Sequence, residues 1–545
     1  MAIPLPAALR THWVSAAAVF LLLSVIHTWP LAANPAVLSR NDNGDVQLNE
    51  WIIAWIAHQL PRDPRHLFDA NIFYPAQDTL AFSEPLIVPA LIAAPALWLG
   101  ASPVLAHNLL LLVGLTLTAL AAYGLLWLWT GDRAAAIVAG SLFAFNTHTL
   151  TRLAHVQALH VYGLPLALLF TDRLIARPTI HAALGLAAAM TLMAYTSGYL
   201  LVFGSVMVAI ALAVRAGDWF PRPRATLAMF ALATVVASVA VVPIAIPYRR
   251  VAVEQHMIRS LEIVREYSAT LTGYLAAAGR VHFHTWSAGF FDNPVDAFFP
   301  GVAAVLLTMT AIWHAARGAH SRRVVMVCAI GLAGFVLSLG LQTPVYGWLF
   351  AIFPPMQGLR AAARFGSLFL LAIALLAGLG LAALRREPRA RWMAAVSILA
   401  VAVVNGEALR APFEYRKFEG IPQIYEILAR EPGTVVLVET PFYPPAAVFE
   451  NAEYVLNSTA HWRPLMNGYS GYTPQSYRDV AWTFWYFPEE RAIAAMRAAG
   501  VTHVTVHPHR FGNDAARTIE LLSRRPDFEL LAIAARSGIR LYRLR

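Results

Sequence analysis

The sequence holds a single lysine, Lys417, and a single cysteine, Cys328. One thiol allows no disulfide within the chain and no thiolate metal cluster. Charge is scarce as well. Asp, Glu, Lys and Arg make up 13% of the 545 residues, against about 25% in a typical soluble domain. That deficit excludes an ordinary soluble globular chain. A Gly-rich phosphate loop and a metalloprotease helix are missing, as are internal repeats and low-complexity tracts. What fills the chain is apolar sequence, 58% hydrophobic by composition. Runs of about 20 apolar residues recur, the length needed to cross the hydrocarbon of a bilayer. The class that remains is a polytopic membrane protein.

The net charge of +10 does not indicate nucleic acid as a partner, because the arginines lie in short loops between apolar runs and not in one tail or on one face. This is the positive-inside pattern. Arg133 follows the run 104–129; Arg173 and Arg177 follow 158–171; Arg215, Arg222 and Arg224 follow 199–214. Arg317, Arg322 and Arg323 follow 299–316, and Arg385, Arg386, Arg389 and Arg391 follow 362–384. These loops are expected in the cytoplasm. Residues 32–103, 146–157, 196–198, 247–298, 342–361 and everything after about 411 are then expected outside.

The first run, 12–31, reads as a signal anchor that stays attached. The run 85–99 is apolar but short, with Pro85, Pro89 and Pro95. If it crossed, every later arginine loop would change sides, so it is expected to lie in the interface or to dip in and return. The expected fold is mainly α: a polytopic transmembrane helical bundle of about 11 spans over 1–410, including the outer loop 32–103, with a small α/β extracytoplasmic domain over 411–545. In that second part strands are expected at 434–438, 501–506, 528–533 and 539–544, and helices at 489–499 and 514–524. The expected place is a bacterial inner (plasma) membrane, amino terminus cytoplasmic and carboxy-terminal domain outside.

The first outer loop is acidic. Asp42, Asp45, Glu50, Asp63, Asp69, Asp78 and Glu84 face only Arg62 and Arg65. Asp45 is the foremost candidate for a general base or for a ligand of a divalent cation such as Mg or Mn; its plainer role is a helix N-cap. Asp42 is a weaker candidate of the same kind. Residues 46–60 read as an amphipathic helix on the membrane plane, with Trp51, Ile52, Trp55 and Ile56 on one face and Glu50, Ala54, Ala57 and His58 on the other. Glu50 on that polar face is either catalytic or simply solvated.

Histidines His148, His155 and His160 stand with Arg152 in the outer loop after Asn146. Ionisable groups near membrane depth are expensive and usually have a task; capping helix ends is the alternative. Arg249 and Arg250, and Arg360 and Arg364, lie at outer ends of spans against the charge rule. A guanidinium fork there suits a phosphate, or it snorkels to lipid headgroups. In the outer domain, His461-Trp462-Arg463 and the segment 467–472 form an aromatic, turn-rich stretch that either lines a sugar site or is an ordinary loop.

Gly44-Asp45-x-x-x-Asn49-x-Trp51, the segment 67–75, the run 358–383 and the segment 462–477 together resemble a group of bacterial membrane proteins related to the GT-C superfamily of polytopic glycosyltransferases. The resemblance covers most of the chain. It implies transfer of a sugar from a polyprenyl-phosphate-linked donor in the membrane to a glycan, lipid or protein acceptor outside. It makes Asp45 the matching acidic residue of the first outer loop. Arg249, Arg250, Arg360 and Arg364 become candidates for the donor phosphate by location, and His155 for the leaving group. Where many members carry a second acidic motif, this chain has Arg152, His155 and His160, so metal dependence stays open. A lipid-linked glycan transporter and a non-catalytic cell-envelope assembly factor are the rival readings.

Overall fold

A computed structural model describes residues 7–40, 43–256, 259–293, 296–318, 321–386 and 390–545. Asp42 lies outside the described residues. The chain is mainly helical with two small sheets, and it divides into two compact units.

The first unit comprises Met1–Asn34, Leu109–Ile244 and Ile258–Glu414. The helix Gly366–Arg385 is its spine, buried over most of its length and packed by Val302–Ala315, Ser321–Ser338 and Arg133–Ala144. Small residues permit the close approach: a Cβ on Gly380 would collide with the Leu307 carbonyl. Helix packing in lipid depends on such contacts, because apolar burial alone does not drive it there.

Ion pairs gather the arginine loops of this unit into two groups. Asp172 accepts from Arg215 at 2.8 Å and Arg323 at 3.0 Å, while Asp218 pairs with Arg215 and Arg322. Asp132 pairs with Arg385 at 2.5 Å. Three loops assigned by the charge rule to the cytoplasm therefore meet around Asp172 and Asp218, and two more meet at Asp132. Residues 259–269, in a loop assigned to the other side, bond the ends of neighbouring helices and the loop 342–361. Ala269 N–H donates to Ser338 O at 2.9 Å, Ala363 N–H to Tyr267 O at 3.0 Å, and Arg259 N–H to Gln357 O at 3.1 Å.

Four helices among the described residues are long and apolar enough to cross a bilayer: Pro103–Thr130, Pro223–Glu254, Ser321–Ser338 and the stretch Ala362–Arg385. Six shorter apolar helices accompany them, including Ile180–Thr196 and Gly198–Val214. Together with the composition, these make a multi-pass membrane protein. The segment after Leu86 forms the helix Ile87–Trp98. Its length of about 18 Å at 1.5 Å per residue falls short of the hydrocarbon thickness.

The second unit comprises Pro35–Asn108, Ala245–Met257 and Tyr415–Arg545. Most of the first outer loop thus folds with the carboxy-terminal segment, a grouping that hydropathy alone does not reveal. The short strands β1 (Leu38–Ser39) and β2 (Arg416–Lys417) pair antiparallel. Four further strands, β3 (Leu437–Thr440), β4 (His503–Val506), β5 (Phe528–Ile533) and β6 (Arg540–Leu544), form a sheet in the order β3-β4-β6-β5. Its β3–β4 pair is parallel, and the other two pairs are antiparallel. Residues 71–74 run beside 465–467, with Leu465 N–H donating to Asn71 O at 2.8 Å and Tyr74 N–H to Leu465 O at 3.0 Å.

The helix Gly44–Gln59 is where expectation fails. It is not interfacial: every residue from Leu48 to Ala57 is buried, including Trp51, Trp55 and Glu50. The reason is internal hydrogen bonding. Trp51 Nε1 donates to Asn71 Oδ1 at 3.2 Å, Trp55 Nε1 to Leu67 O at 2.9 Å, and Ser39 Oγ to Glu50 Oε1 at 3.2 Å. Polar groups satisfied inside protein need no headgroup region. Glu50 is therefore not a solvated face residue.

Candidate functional site

A polar cavity lies in the first unit. It encloses about 30 Å³, and Asn146, His148, Arg152, Gln157, Tyr199 and Arg364 supply its polar lining. Such a volume admits about two or three waters, or a small group of oxygens.

Local chain signals build it. Asn146 ends the loop after Arg133–Ala144 and caps the helix Thr147–Thr151, its Oδ1 accepting from Thr149 N–H at 2.9 Å. That short turn presents His148 inward and ends at Arg152. Ser197 Oγ accepts from Tyr199 N–H at 3.2 Å and starts the helix Gly198–Val214. The Tyr199 hydroxyl then accepts the backbone N–H groups of Arg360 and Ala361, each at 3.0 Å. Tyr199 thereby fixes the turn that delivers Arg364, whose guanidinium lies 4.6 Å from the Tyr199 ring centroid.

Arg152 is buried and donates to Asp296 at 2.6 Å. Arg152 and Arg364 both line the cavity. His148 stacks on Phe298 at 4.3 Å. Burial, reinforced by Arg152 and Arg364, holds its imidazole well below the usual 6.5, so it is neutral at pH 7. Arg152 Nε, His148 Nδ1 and Gln157 Oε1 are buried without a hydrogen-bond partner among the described residues. Unpaired buried polar atoms are costly, and an anion's oxygens would satisfy the Arg152 donor. Of the residues singled out in the sequence, His148, Arg152 and Arg364 enter the lining, whereas Arg360 lays its side chain over the Tyr267 ring at 5.3 Å. His155 is outside the lining, at the start of the helix Val156–Leu159.

The second unit holds the acidic candidates. Asp45 does not cap its helix. Asn43 does, its Oδ1 accepting from Asp45 N–H at 2.8 Å. The Asp45 carboxylate is left for the Tyr469 hydroxyl, which donates to it at 2.7 Å. Gly44 permits this approach: a Cβ there would sit 3.3 Å from Tyr469 Cε1 and from Ala452 Cβ. Asp45 is half-buried and lies in the first turn of the helix, where the dipole favours negative charge. Arg250 forks onto Asp78, at 3.0 Å and 3.3 Å, and Arg249 is exposed.

In the aromatic stretch 461–472 several residues serve the packing of the second unit. Trp462 stacks on His58 at 4.3 Å, Arg463 bonds the carbonyls of Leu428, Ala429 and Glu431, and buried Asn467 clasps the backbone of Glu439. Among the described residues no group of three His, Cys, Asp or Glu side chains could hold a metal ion. Sequence reasoning did not find Tyr199, Asp296 or Gln157. For Asp296 a signal existed, since an arginine buried against the charge rule calls for an acidic partner in another outer loop.

No family model and no curated protein sequence matches the chain. Solved structures do. ArnT from Cupriavidus metallidurans in the apo state superposes at a TM-score of 0.50, with 13% identity, over 98% of each chain. The archaeal oligosaccharyltransferase AglB from Archaeoglobus fulgidus, in complex with an inhibitory peptide and a dolichol-phosphate, gives 0.48 and 14%, over 98% of this chain and 74% of that one. These structural neighbours are GT-C superfamily membrane glycosyltransferases, and the chain shares the fold of ArnT. Identity this low establishes architecture and leaves the reaction to be argued from residues.

Proposed function

We propose that the chain is a membrane glycosyltransferase that moves a hexose or pentose from a polyprenyl-phosphate-linked donor to an acceptor hydroxyl. The observation that carries this reading is the buried Arg152–Arg364 pocket, with an unsatisfied guanidinium donor, in a chain of GT-C-type fold. Dolichol-phosphate is bound in the AglB complex, and a lipid phosphate is the matching chemistry here. Arg152 and Arg364 meet the phosphate oxygens, and neutral His148 and Gln157 add hydrogen bonds.

Transfer proceeds with inversion. The acceptor oxygen forms a bond to the anomeric carbon while the bond from that carbon to the phosphate oxygen breaks. Charge develops on the leaving phosphate, where fixed guanidiniums stabilise it most. For the acceptor's proton the proposed base is Asp45 of the second unit, which accepts from the Tyr469 hydroxyl at 2.7 Å. Glu50 and His155 take secondary roles in this reading, since buried Glu50 is engaged by Ser39 and His155 is outside the pocket lining.

The test is release of free polyprenyl phosphate from lipid-linked sugars by the purified protein. Asp45→Asn is expected to lower turnover at least 100-fold, a general-base effect. Unchanged turnover would remove Asp45 from the mechanism.

A further inference from the structure

Of the four helices long enough to cross a bilayer, Pro223–Glu254 is the least covered by protein. Only 17% of its most apolar window is buried, against 67% in Pro103–Thr130 and 72% in the stretch Ala362–Arg385. Steps of three and four residues place Arg224, Ala228, Ala231, Val235, Val239 and Val242 on one side of it, and all six are exposed. Its first turn stands among arginines. The segments 172–181 and 215–224 hold Asp172 and Asp218 against Arg173, Arg177, Arg215, Arg222 and Arg224. Both carboxylates are already engaged, Asp172 by Arg215 and Arg323, and Asp218 by Arg215 and Arg322. Arg177, Arg222 and Arg224 are exposed and have no carboxylate partner among the described residues.

These arginines share one end of the first unit. The Asp172–Arg215 pair joins the end of the helix Gly163–Ala176 to the end of Gly198–Val214. Arg177 follows the first, and the loop that leads to Pro223 follows the second. Further along, the Tyr195 hydroxyl donates to Ala240 O at 2.9 Å. At 1.5 Å per residue, Tyr195 is about 22 Å beyond Ile180 and Ala240 about 26 Å beyond Pro223. The helices Ile180–Thr196 and Pro223–Glu254 therefore begin nearly level, with Arg177 at the head of one and Arg222 and Arg224 at the head of the other. Phe220, between them in the loop, is 63% exposed, its ring 4.7 Å from that of Trp219.

We infer that the face shared by these two helices is a site for an anionic diacyl phospholipid, a ligand separate from the lipid-linked sugar. Arg177, Arg222 and Arg224 meet the phosphodiester, whose oxygens match a guanidinium fork. The acyl chains lie along the stripe from Ala228 to Val242 and against Ile180 and Leu184, which are exposed on the neighbouring helix. Trp219 and Phe220 take the headgroup level, where aromatic rings are favoured. Basic clusters between spans hold anionic headgroups by this combination of charge and apolar contact. The topological role of arginine asks only for charge in a loop; it does not set an arginine in line with an uncovered stripe. Charge also argues against a second copy of the chain as the occupant. A twofold axis along the membrane normal beside this helix would bring the same unpaired arginines together.

Native mass spectrometry of the full-length protein, with phosphatidylglycerol or phosphatidylcholine added to the detergent, tests this. Phosphatidylglycerol is expected to be retained at least tenfold better than phosphatidylcholine. That retention should fall at least tenfold in Arg222→Gln with Arg224→Gln and hold in Arg317→Gln with Arg386→Gln, which removes the same charge at two other exposed arginines. Equal retention of the two lipids, or an equal loss in both double variants, would overturn the inference. A second readout needs no variant. Phosphatidylglycerol with a photoreactive acyl chain is expected to label residues 180–188 and 228–242 of the wild type, and labelling confined to other helices would overturn it. A dimer that excludes the lipid would make the stripe an interface between copies and overturn it as well. Neither readout involves transfer, so failure here is distinct from failure of the glycosyltransferase reading.

Discussion

Both units pair buried polar groups, as His507 does with Glu439 at 2.6 Å in the second, but they differ in backbone conformation. In the first, buried charge is paired across loops, as in Arg152–Asp296 and the arginines around Asp172 and Asp218. In the second, the backbone itself is held in costly conformations. Among the described residues, the five non-glycine residues with left-handed φ all belong to it: Phe73, Asp78, Leu86, His256 and Trp462. Each departure of this kind costs about 1–3 kcal/mol and persists only where surrounding contacts impose it. Three of the five fall within the first outer loop, beside the segment 67–75 whose motif carries the family resemblance. The first unit is thus a scaffold with one charged pocket, and the second stores strain around its acidic loop.

The largest effect that can break this contrast lies in the first unit. Asp296→Ala would leave the Arg152 guanidinium buried without its carboxylate. A loss of about 3–5 kcal/mol is expected, read as a lower unfolding temperature in detergent. The double replacement Arg152→Met with Asp296→Leu should recover most of that stability while abolishing anion binding. If Asp296→Ala were nearly neutral, the pocket would be wetter than its burial implies.

A smaller, pH-dependent effect belongs to the second unit. His461 is buried and stacks on Tyr425 at 5.9 Å, and its Nδ1 accepts the Arg463 N–H at 2.9 Å. Burial, with Arg463 adding repulsion, lowers its pKa from 6.5 to about 3. Below pH 6.5 the unfolded chain binds a proton that the folded chain refuses. Stability therefore falls as pH drops from 6.5 toward 3, by about 1.4 kcal/mol per pH unit from this group. His461→Gln should flatten that slope in a denaturation series from pH 7 to pH 4.5; an unaltered slope would assign it to other groups.

The smallest effect sharpens the strain argument. His256 is exposed at φ 49°. His256→Gly removes the left-handed penalty, and stabilisation by up to about 1 kcal/mol is expected. A loss of stability would mean that the imidazole makes contacts worth more than the strain.

Much of the fold was legible in the sequence, for physical reasons that can be named. Three loops that arginine placement assigned to one side do converge, around Asp172 and Asp218. Strand-length apolar runs located β4, β5 and β6 to within two residues, since short alternating runs in a charged context have few other solutions. The helix Gly44–Gln59 was misread because amphipathic spacing cannot reveal that Asn71 and the Leu67 carbonyl wait for its indole N–H groups. The pocket was half legible. Arg364 stood out by breaking the charge rule, whereas Tyr199 is an unremarkable residue whose importance lies in two backbone N–H groups 161 and 162 positions away. Long-range partners of that kind leave no periodic trace.

The central claim is that the Arg152–Arg364 pocket receives a lipid phosphate. Native mass spectrometry of the purified protein with added undecaprenyl phosphate tests it most directly. One bound lipid is expected for the wild type, with at least tenfold weaker retention in Arg152→Gln and Arg364→Gln and undiminished retention in Asp45→Asn. Equal retention by the wild type and both arginine variants would contradict the claim.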